Sequence, residues 1–238
     1  MPSSAGLTWP GTSRASRALN SCRRRQEPAI PTFQEQVDRL VQLGYPALSG
    51  HTETSFRELT EPLRAKAEAL EGEDAAAHVP FVLVVTRDLV SPYDTVPLLR
   101  LHGPRGPGTK PGFVDRHHGP DGLDDYRPIE GCEPPAPVYL LVDVERGEEF
   151  CNVRPQDASA VVRSRGRTQL TIDEGVALVT QVPQVLEKNE CFMLAGSRRH
   201  DRRVPALWIS ERAPKLGWCW DGNPHTWLGM ASAGDRVG

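Results

Sequence analysis

The chain lacks the motifs and long apolar runs by which many enzymes and membrane proteins are recognised. No run approaches the roughly 20 apolar residues of a membrane-spanning helix, and the strongest, from Val79 to Val85, contains Pro80. The glycine-rich loops of dinucleotide enzymes and P-loop NTPases are missing, as are H-E-x-x-H and G-x-S-x-G. The sequence therefore argues against four classes: membrane proteins, these nucleotide-binding enzymes, zinc proteases of the H-E-x-x-H type and α/β-hydrolases.

Cysteine is scarce and scattered. The five cysteines stand at positions 22, 132, 151, 191 and 219, and no two form a C-x-x-C pair. An odd, widely spaced set predicts neither a disulfide framework nor a zinc site. We therefore expect no metal and no cofactor, and small buried thiols in a reducing, cytoplasmic setting.

Negative charge is nearly absent from the N-terminus. Residues 1–31 hold five arginines against Glu27 alone, although the whole chain has a net charge of −3. This Arg-, Ser- and Pro-rich segment has no apolar period, which predicts a disordered tail. A transit peptide, or a later start of translation, would fit it equally. The acidic remainder argues against coating duplex DNA, which requires Lys and Arg over a wide face.

Helix starts are marked by capping boxes, in which a Thr or Ser hydroxyl and a carboxylate three residues later satisfy free backbone N–H groups. Such boxes stand at Thr32/Glu35, Ser55/Glu58 and Thr171/Glu174. Pro62 is expected to divide the second of these helices. Pro155 is expected to open a further helix, because proline suits a first turn.

Strands are predicted from β-branched and alternating runs. Val79 to Thr86 indicates an interior strand, Pro137 to Gly147 a second, and Phe150 to Val153 a short third. After residue 190 the apolar period becomes two, which predicts a three-stranded antiparallel meander. Its strands are Cys191–Ser197, Val204–Ser210 and Lys215–Trp220. Helices first, mixed elements next and a meander last predict a single α+β domain over residues 32–238.

Four arginines lie between the first two meander strands. This segment contains Arg198, Arg199, Arg202 and Arg203, with Asp201 among them. Like charges so close together repel, so they need carboxylates or an anionic ligand. One interpretation is a solvated hairpin loop paired with acidic residues of the protein, Arg202 and Arg203 more fully than Arg198. The other is a phosphate or carboxylate site.

Tryptophan is concentrated in the last third of the chain, where a pocket is the second hypothesis. The pocket residues would be Trp218, Trp220, Asn223, His225 and Trp227. Trp218 and Trp220 should share one face of a strand, where they could stack on a base. Burial in the core is the plainer interpretation of such rings.

An enzyme at this pocket would use Cys219 or Thr226 as nucleophile, His225 as base and Asp221 as orienting group. No family signature accompanies these neighbours, so we assign no catalytic residue. Histidines 102, 117 and 118 lie in a Gly/Pro-rich stretch without metal-ligand spacing, and are interpreted as solvated loop residues. A structural protein that binds its partner through an apolar patch is a third possibility.

Several segments resemble a family of cytoplasmic proteins of unknown function found mainly in actinobacteria. These include GSRRHDRRVPALWIS and PKLGWCWDGNPHTWLG, and the resemblance runs from about Phe33 to Ser232. It implies a bacterial cytoplasmic setting but no activity, cofactor or site residue. The leading hypothesis is a cytoplasmic binding module for a nucleotide, an RNA segment or an acidic protein surface through the four arginines.

Overall fold

The computed structural model describes residues 30–71, 78–103, 106–119 and 122–238. The predicted tail over residues 1–31 lies outside these ranges except for its last two residues. The helices are α1 (Phe33–Gln42), α2 (Tyr45–Leu48), α3 (Glu53–Thr60), α4 (Arg64–Leu70), α5 (Pro92–Thr95), α6 (Pro155–Ser164) and α7 (Ile172–Gln181). The strands are β1 (Val79–Val85), β2 (His102–Gly103), β3 (Gly106–Pro107), β4 (Phe113–Val114), β5 (Arg127–Pro128), β6 (Val138–Glu145), β7 (Thr168–Gln169), β8 (Cys191–Met193), β9 (Ser197–Arg198), β10 (Arg203–Ser210), β11 (Ala213–Trp220), β12 (Leu228–Met230) and β13 (Ser232–Val237).

Capping boxes begin two of the N-terminal helices. At α1 the Thr32 hydroxyl accepts from the Glu35 backbone N–H, and the Glu35 carboxylate accepts from the Thr32 backbone N–H, as predicted. The prediction for the next helix is wrong. Thr52 is the N-cap of α3 and Ser55 is its partner inside the helix. Two hydroxyl residues three apart satisfy the same N–H groups, so the helix begins three residues earlier than expected.

The N-terminal helices cover one face of the first sheet. Pro62 divides α3 from α4, as predicted, and lies in a short 3-10 turn between them. Apolar side chains of the helices pack against the sheet in one buried cluster, which includes Phe33, Leu40, Phe56, Phe81, Leu83 and Leu140. This layer anchors β1 and β6.

The first sheet has the order β1-β6-β13-β7, with antiparallel neighbours. The strands predicted around residues 79–86 and 137–147 are confirmed, but β1 lies at the sheet edge and not in its interior. Its free edge is closed by the side chain of Gln36 on α1. The Gln36 amide donates to the Phe81 carbonyl (3.3 Å) and accepts from the Leu83 N–H (2.8 Å). This edge strand is buried under α1 and has two of its free backbone groups bonded, so it has the composition of an interior strand.

Helix α7 packs on this sheet and carries a buried ion pair. The predicted capping box is confirmed: Thr171 accepts from the Glu174 N–H, and the Glu174 carboxylate accepts from the Thr171 N–H. The same carboxylate, fully buried, accepts from Arg236 of β13 at 2.6 and 2.9 Å and from the Tyr139 hydroxyl at 2.6 Å. Glu174 is thus both a helix cap and the partner of a buried guanidinium.

The second sheet has the order β12-β8-β10-β11-β4. Strands β8, β10 and β11 are antiparallel neighbours, so the meander is confirmed, while β12 and β4 add parallel edges. Its first strand is shorter than predicted, because β8 ends at Met193 and Ser197 belongs to β9, which pairs with β5. The strand predicted around residues 150–153 is wrong: Glu148–Phe150 form a 3-10 turn. Gly147 and Asn152, on either side of this turn, both have φ near +67°, a left-handed conformation typical of turns. Helices and largely antiparallel sheets together give the α+β fold that the sequence predicts.

Candidate anion-binding site

The fold places the four arginines at one end of the second sheet. We call residues 198–203 the arginine hairpin, since they lie in the connection between the antiparallel neighbours β8 and β10. Strand β9 pairs with β5 so that Arg198 lies opposite Arg127, which brings the segment around Tyr126 beside Arg199. Strand β4 runs parallel to β11, so the turn that follows β4 lies beside Gly217 and Trp218. Three segments far apart in the sequence therefore meet here.

The arginine hairpin is tied to the turn after β11. Arg198 forms a two-pronged pair with Asp221, with nitrogen to oxygen distances of 3.1 and 2.9 Å. The Asp221 backbone N–H donates to the Arg202 carbonyl at 2.9 Å. The two regions that the sequence suggested separately, the arginines and the Asn223–Trp227 loop, are thus joined through Asp221.

Aspartates compensate two more of the arginines. Arg199 lies 3.0 Å from Asp125 and 3.2 Å from Asp201, and the Arg203 Nε lies 3.5 Å from Asp201. Arg203 also donates to the His117 carbonyl at 3.3 Å. Much of the positive charge therefore faces carboxylates of the same chain, as the solvated-loop interpretation predicts.

Arg202 differs from the other three arginines. It is exposed, and its side chain has no hydrogen bond or ion pair within the described part of the chain. Its guanidinium lies over Gly222, where an added Cβ would be 3.0 Å from Nη2. The expectation that Arg202 would be paired more fully than Arg198 is therefore wrong, because Asp221 turns toward Arg198.

The tryptophans near the arginine hairpin lie at the protein surface and not in the core. The rings of Trp218 and Trp220 meet edge to face with centroids 5.0 Å apart, and the Arg203 guanidinium stands 4.4 Å from the Trp218 ring. Trp220 is 44% exposed, and Trp208, Trp218 and Trp227 are only partly buried. The core interpretation is wrong for Trp218 and Trp220, whereas Trp208 and Trp227 are partly buried and pack against the hydrophobic core.

The Asn223–Trp227 loop does not assemble the hypothetical catalytic group. His225 meets the Trp227 ring edge to face at 5.7 Å, and burial lowers the pKa of its imidazole without a carboxylate contributing. Asp221 is committed to Arg198. Burial, followed by the charge of Asp221, raises the pKa of Cys219 to about 12, so its thiol stays protonated and is a poor nucleophile. Asn223 is exposed at the turn.

Two side chains that the sequence did not single out complete the site. His118, interpreted as a solvated loop residue, is only 4% exposed, whereas His117 is exposed and bonded to Asp115 at 2.7 Å. Tyr126 is fully buried, and its ring faces His118 edge-on at 5.7 Å and the Arg199 guanidinium at 5.6 Å. No periodic pattern marks either residue, since both lie in short irregular segments.

Burial shifts the proton affinities of both residues. The pKa of His118 falls to about 4, chiefly through burial, with Arg203 and Arg199 adding to the effect and Asp115 opposing it. Burial raises the pKa of Tyr126 to about 12, although Arg199 opposes the change. At neutral pH the imidazole is therefore uncharged and the phenol retains its proton.

We call His118, Tyr126, Arg199 and Arg203 the inner cluster, because their polar atoms are short of partners. Among the described residues, the buried atoms without a hydrogen bond of good geometry include both ring nitrogens of His118, the Tyr126 hydroxyl, Nε and Nη1 of Arg199 and Nε of Arg203. The His118 ring also faces the Gly217 backbone and the Tyr126 hydroxyl faces the Arg199 guanidinium, but both contacts fall short of that geometry. Leaving a buried polar group unsatisfied costs about 1–3 kcal/mol. The inner cluster is therefore unusually costly for the fold to maintain.

The fold and these side chains together define an α+β protein with an arginine-rich sheet end. Within the described ranges, no helix has the length and apolar content to cross a membrane, and no three His, Cys, Asp or Glu side chains are grouped as a metal site requires. The profile of a family described as "Family of unknown function (DUF5701)" matches residues 39–238, so the chain belongs to that family. Neither a curated protein nor a solved structure matches the chain.

Proposed function

We propose that the protein is a binding module that recognises a nucleotide or an RNA segment through the arginine hairpin. The observation that carries the proposal is the exposed Arg202 guanidinium, which has no side-chain partner among the described residues. Its backbone is bonded to Asp221, the residue that follows the exposed Trp220. A guanidinium for phosphate and an exposed aromatic ring for a base, at the same end of the sheet, are the two elements that single-strand binders combine.

The other three arginines have a secondary role in this proposal. Arg198, Arg199 and Arg203 face carboxylates, so each can bind an external phosphate only by exchanging one anion for another. Such pairs keep the arginine hairpin compact in the free protein. These internal pairs also favour partners that carry several phosphates, because such a partner can replace several carboxylates at once, whereas a single charge can replace only one.

The proposal also includes the setting of the protein. It takes residues 32–238 as the functional domain and the bacterial cytoplasm as its location, in actinobacteria as the resemblance implies. Support comes from the scattered thiols and from a family match that starts at residue 39 and reaches the C-terminus.

Anisotropy titrations test this function. A labelled single-stranded RNA and a labelled adenine nucleotide are titrated at low and high salt against wild type and Arg202→Ala. We expect binding that weakens with salt, and a salt slope that Arg202→Ala reduces by about 1. Arg163→Ala, an exposed arginine on α6, is the matched control and should behave as wild type.

Two outcomes would contradict the proposal. One is the absence of salt-dependent binding to either ligand. The other is an equal effect of Arg202→Ala and Arg163→Ala. Binding to an acidic peptide in place of both ligands would assign the arginine hairpin to a protein surface instead.

A further inference from the structure

The unsatisfied polar atoms of the described residues are concentrated in one place. Within residues 30–71, 78–103, 106–119 and 122–238, nine buried side-chain nitrogen and oxygen atoms lack a hydrogen bond, and six of them belong to the inner cluster. Buried polar groups in folded proteins normally have partners. His118 and Arg199 both contact Tyr126, and Arg199 and Arg203 both lie near Asp201, so the six atoms point to a partner shared by neighbouring side chains.

The chemistry of these atoms identifies the missing partner as an acceptor. Guanidinium nitrogens of Arg199 and Arg203 can only donate, and the protonated Tyr126 phenol has a hydrogen to donate. The neutral His118 ring supplies one further N–H. Several donors in one cluster of side chains match an oxyanion, whose oxygens accept from several sides.

The Asp201 carboxylate lies between Arg199 and Arg203, where an anion would bind, without forming hydrogen bonds to their Nε atoms. Its Oδ2 lies 3.2 Å from the Arg199 Nε and 3.5 Å from the Arg203 Nε, yet neither contact has the geometry of a hydrogen bond. Its Oδ1 accepts from the Arg203 backbone N–H at 2.9 Å. The Asp201 carboxylate thus compensates charge but leaves hydrogen-bonding capacity unused.

The two guanidiniums differ in their exposure to solvent. The Arg199 side chain is 11% exposed, whereas Arg203 is 25% exposed, close to the 29% of Asp201. Asp125, the second partner of Arg199, is 53% exposed. An anion from solution therefore reaches Arg203 and the two carboxylates before it reaches Arg199.

We propose that the inner cluster binds a small oxyanion of the phosphate or carboxylate class, which replaces the Asp201 carboxylate between Arg199 and Arg203. This inference rests on the proposed function, since the arginine hairpin supplies both guanidiniums, and it names a ligand class for their inner side. Tyr126 and His118 are the residues that would position the anion.

Titration of the full chain with inorganic phosphate, and separately with succinate, tests the inference by calorimetry. Asp201→Asn removes the competing charge and keeps the acceptor for the Arg203 N–H, so we expect it to bind the favoured anion about tenfold more tightly than wild type. Tyr126→Phe removes only the hydroxyl and should weaken that binding several-fold. The His118 imidazole resonances should shift as the anion binds.

Asp157→Asn is the matched control. It removes an aspartate that is paired with Arg154 at 2.7 Å, outside the inner cluster, and should leave anion affinity unchanged. The inference is overturned if neither anion saturates Asp201→Asn, or if Tyr126→Phe and Asp157→Asn affect binding equally. If neither anion binds while RNA binding still depends on Arg202, this inference fails and the proposed function stands.

Discussion

His118 makes the stability of the protein depend on acid. Burial lowers the pKa of its imidazole from 6.5 to about 4, so the folded chain binds the proton more weakly than the unfolded chain. The contribution of His118 to the free energy of unfolding is therefore complete above pH 6.5 and is lost as the pH falls towards 4. At about 1.4 kcal/mol per pKa unit, the loss between pH 7.5 and pH 4.5 is about 2.5 kcal/mol.

Urea denaturation of His118→Gln at these two pH values measures the effect. The variant cannot titrate at this position, so its free energy of unfolding should fall by about 2.5 kcal/mol less than that of wild type. Protonation of carboxylates lowers both proteins alike and cancels in the comparison. His117→Gln changes the exposed neighbour and should follow wild type. Equal losses in His118→Gln and wild type would refute the assignment of a buried, neutral imidazole.

Two further substitutions test the packing that supports the site. Arg236→Met leaves the buried Glu174 carboxylate without its positive partner and should lower the free energy of unfolding by about 3–5 kcal/mol in urea denaturation. Arg165→Met, which breaks an exposed pair with Glu149, should lower it by less than about 1 kcal/mol. Similar losses in the two variants would contradict the prediction for Arg236. Gly147→Ala should lower Tm more than Gly166→Ala. Both glycines have positive φ, but only at Gly147 would a Cβ meet a β12 carbonyl, at 2.1 Å, so equal shifts in Tm would count against that close approach.

The features that could be predicted from the sequence are those that neighbouring residues determine. The boxes at Thr32 and Thr171 and the alternation of the meander specify their elements locally, and the structure contains all of them. The box assigned to Ser55 failed because another hydroxyl, Thr52, stands three residues before it. The edge position of β1 could not be predicted, because its apolar composition reflects burial, and the Gln36 side chain that bonds to its free edge comes from a distant helix.

The candidate site could be predicted only in part, because it depends on contacts between distant segments. The arginines were evident from their density, but their partners were not. Tyr126 reaches Arg199 through β5 and β9, strands of two residues that leave no periodic signal. The sequence around the arginines did not indicate that Asp221 would pair with Arg198, nor that the Arg202 side chain would have no partner among the described residues.

Native mass spectrometry of the protein purified gently from its own host tests the central claim, that the arginine hairpin recognises an anion, most directly. Wild type is compared with the double variant Arg199→Gln/Arg202→Gln, purified in parallel at low salt. The account predicts that wild type retains a phosphate- or carboxylate-bearing molecule and that the variant has lost it. Wild type without a ligand, or retention of the same molecule by both proteins, would contradict it.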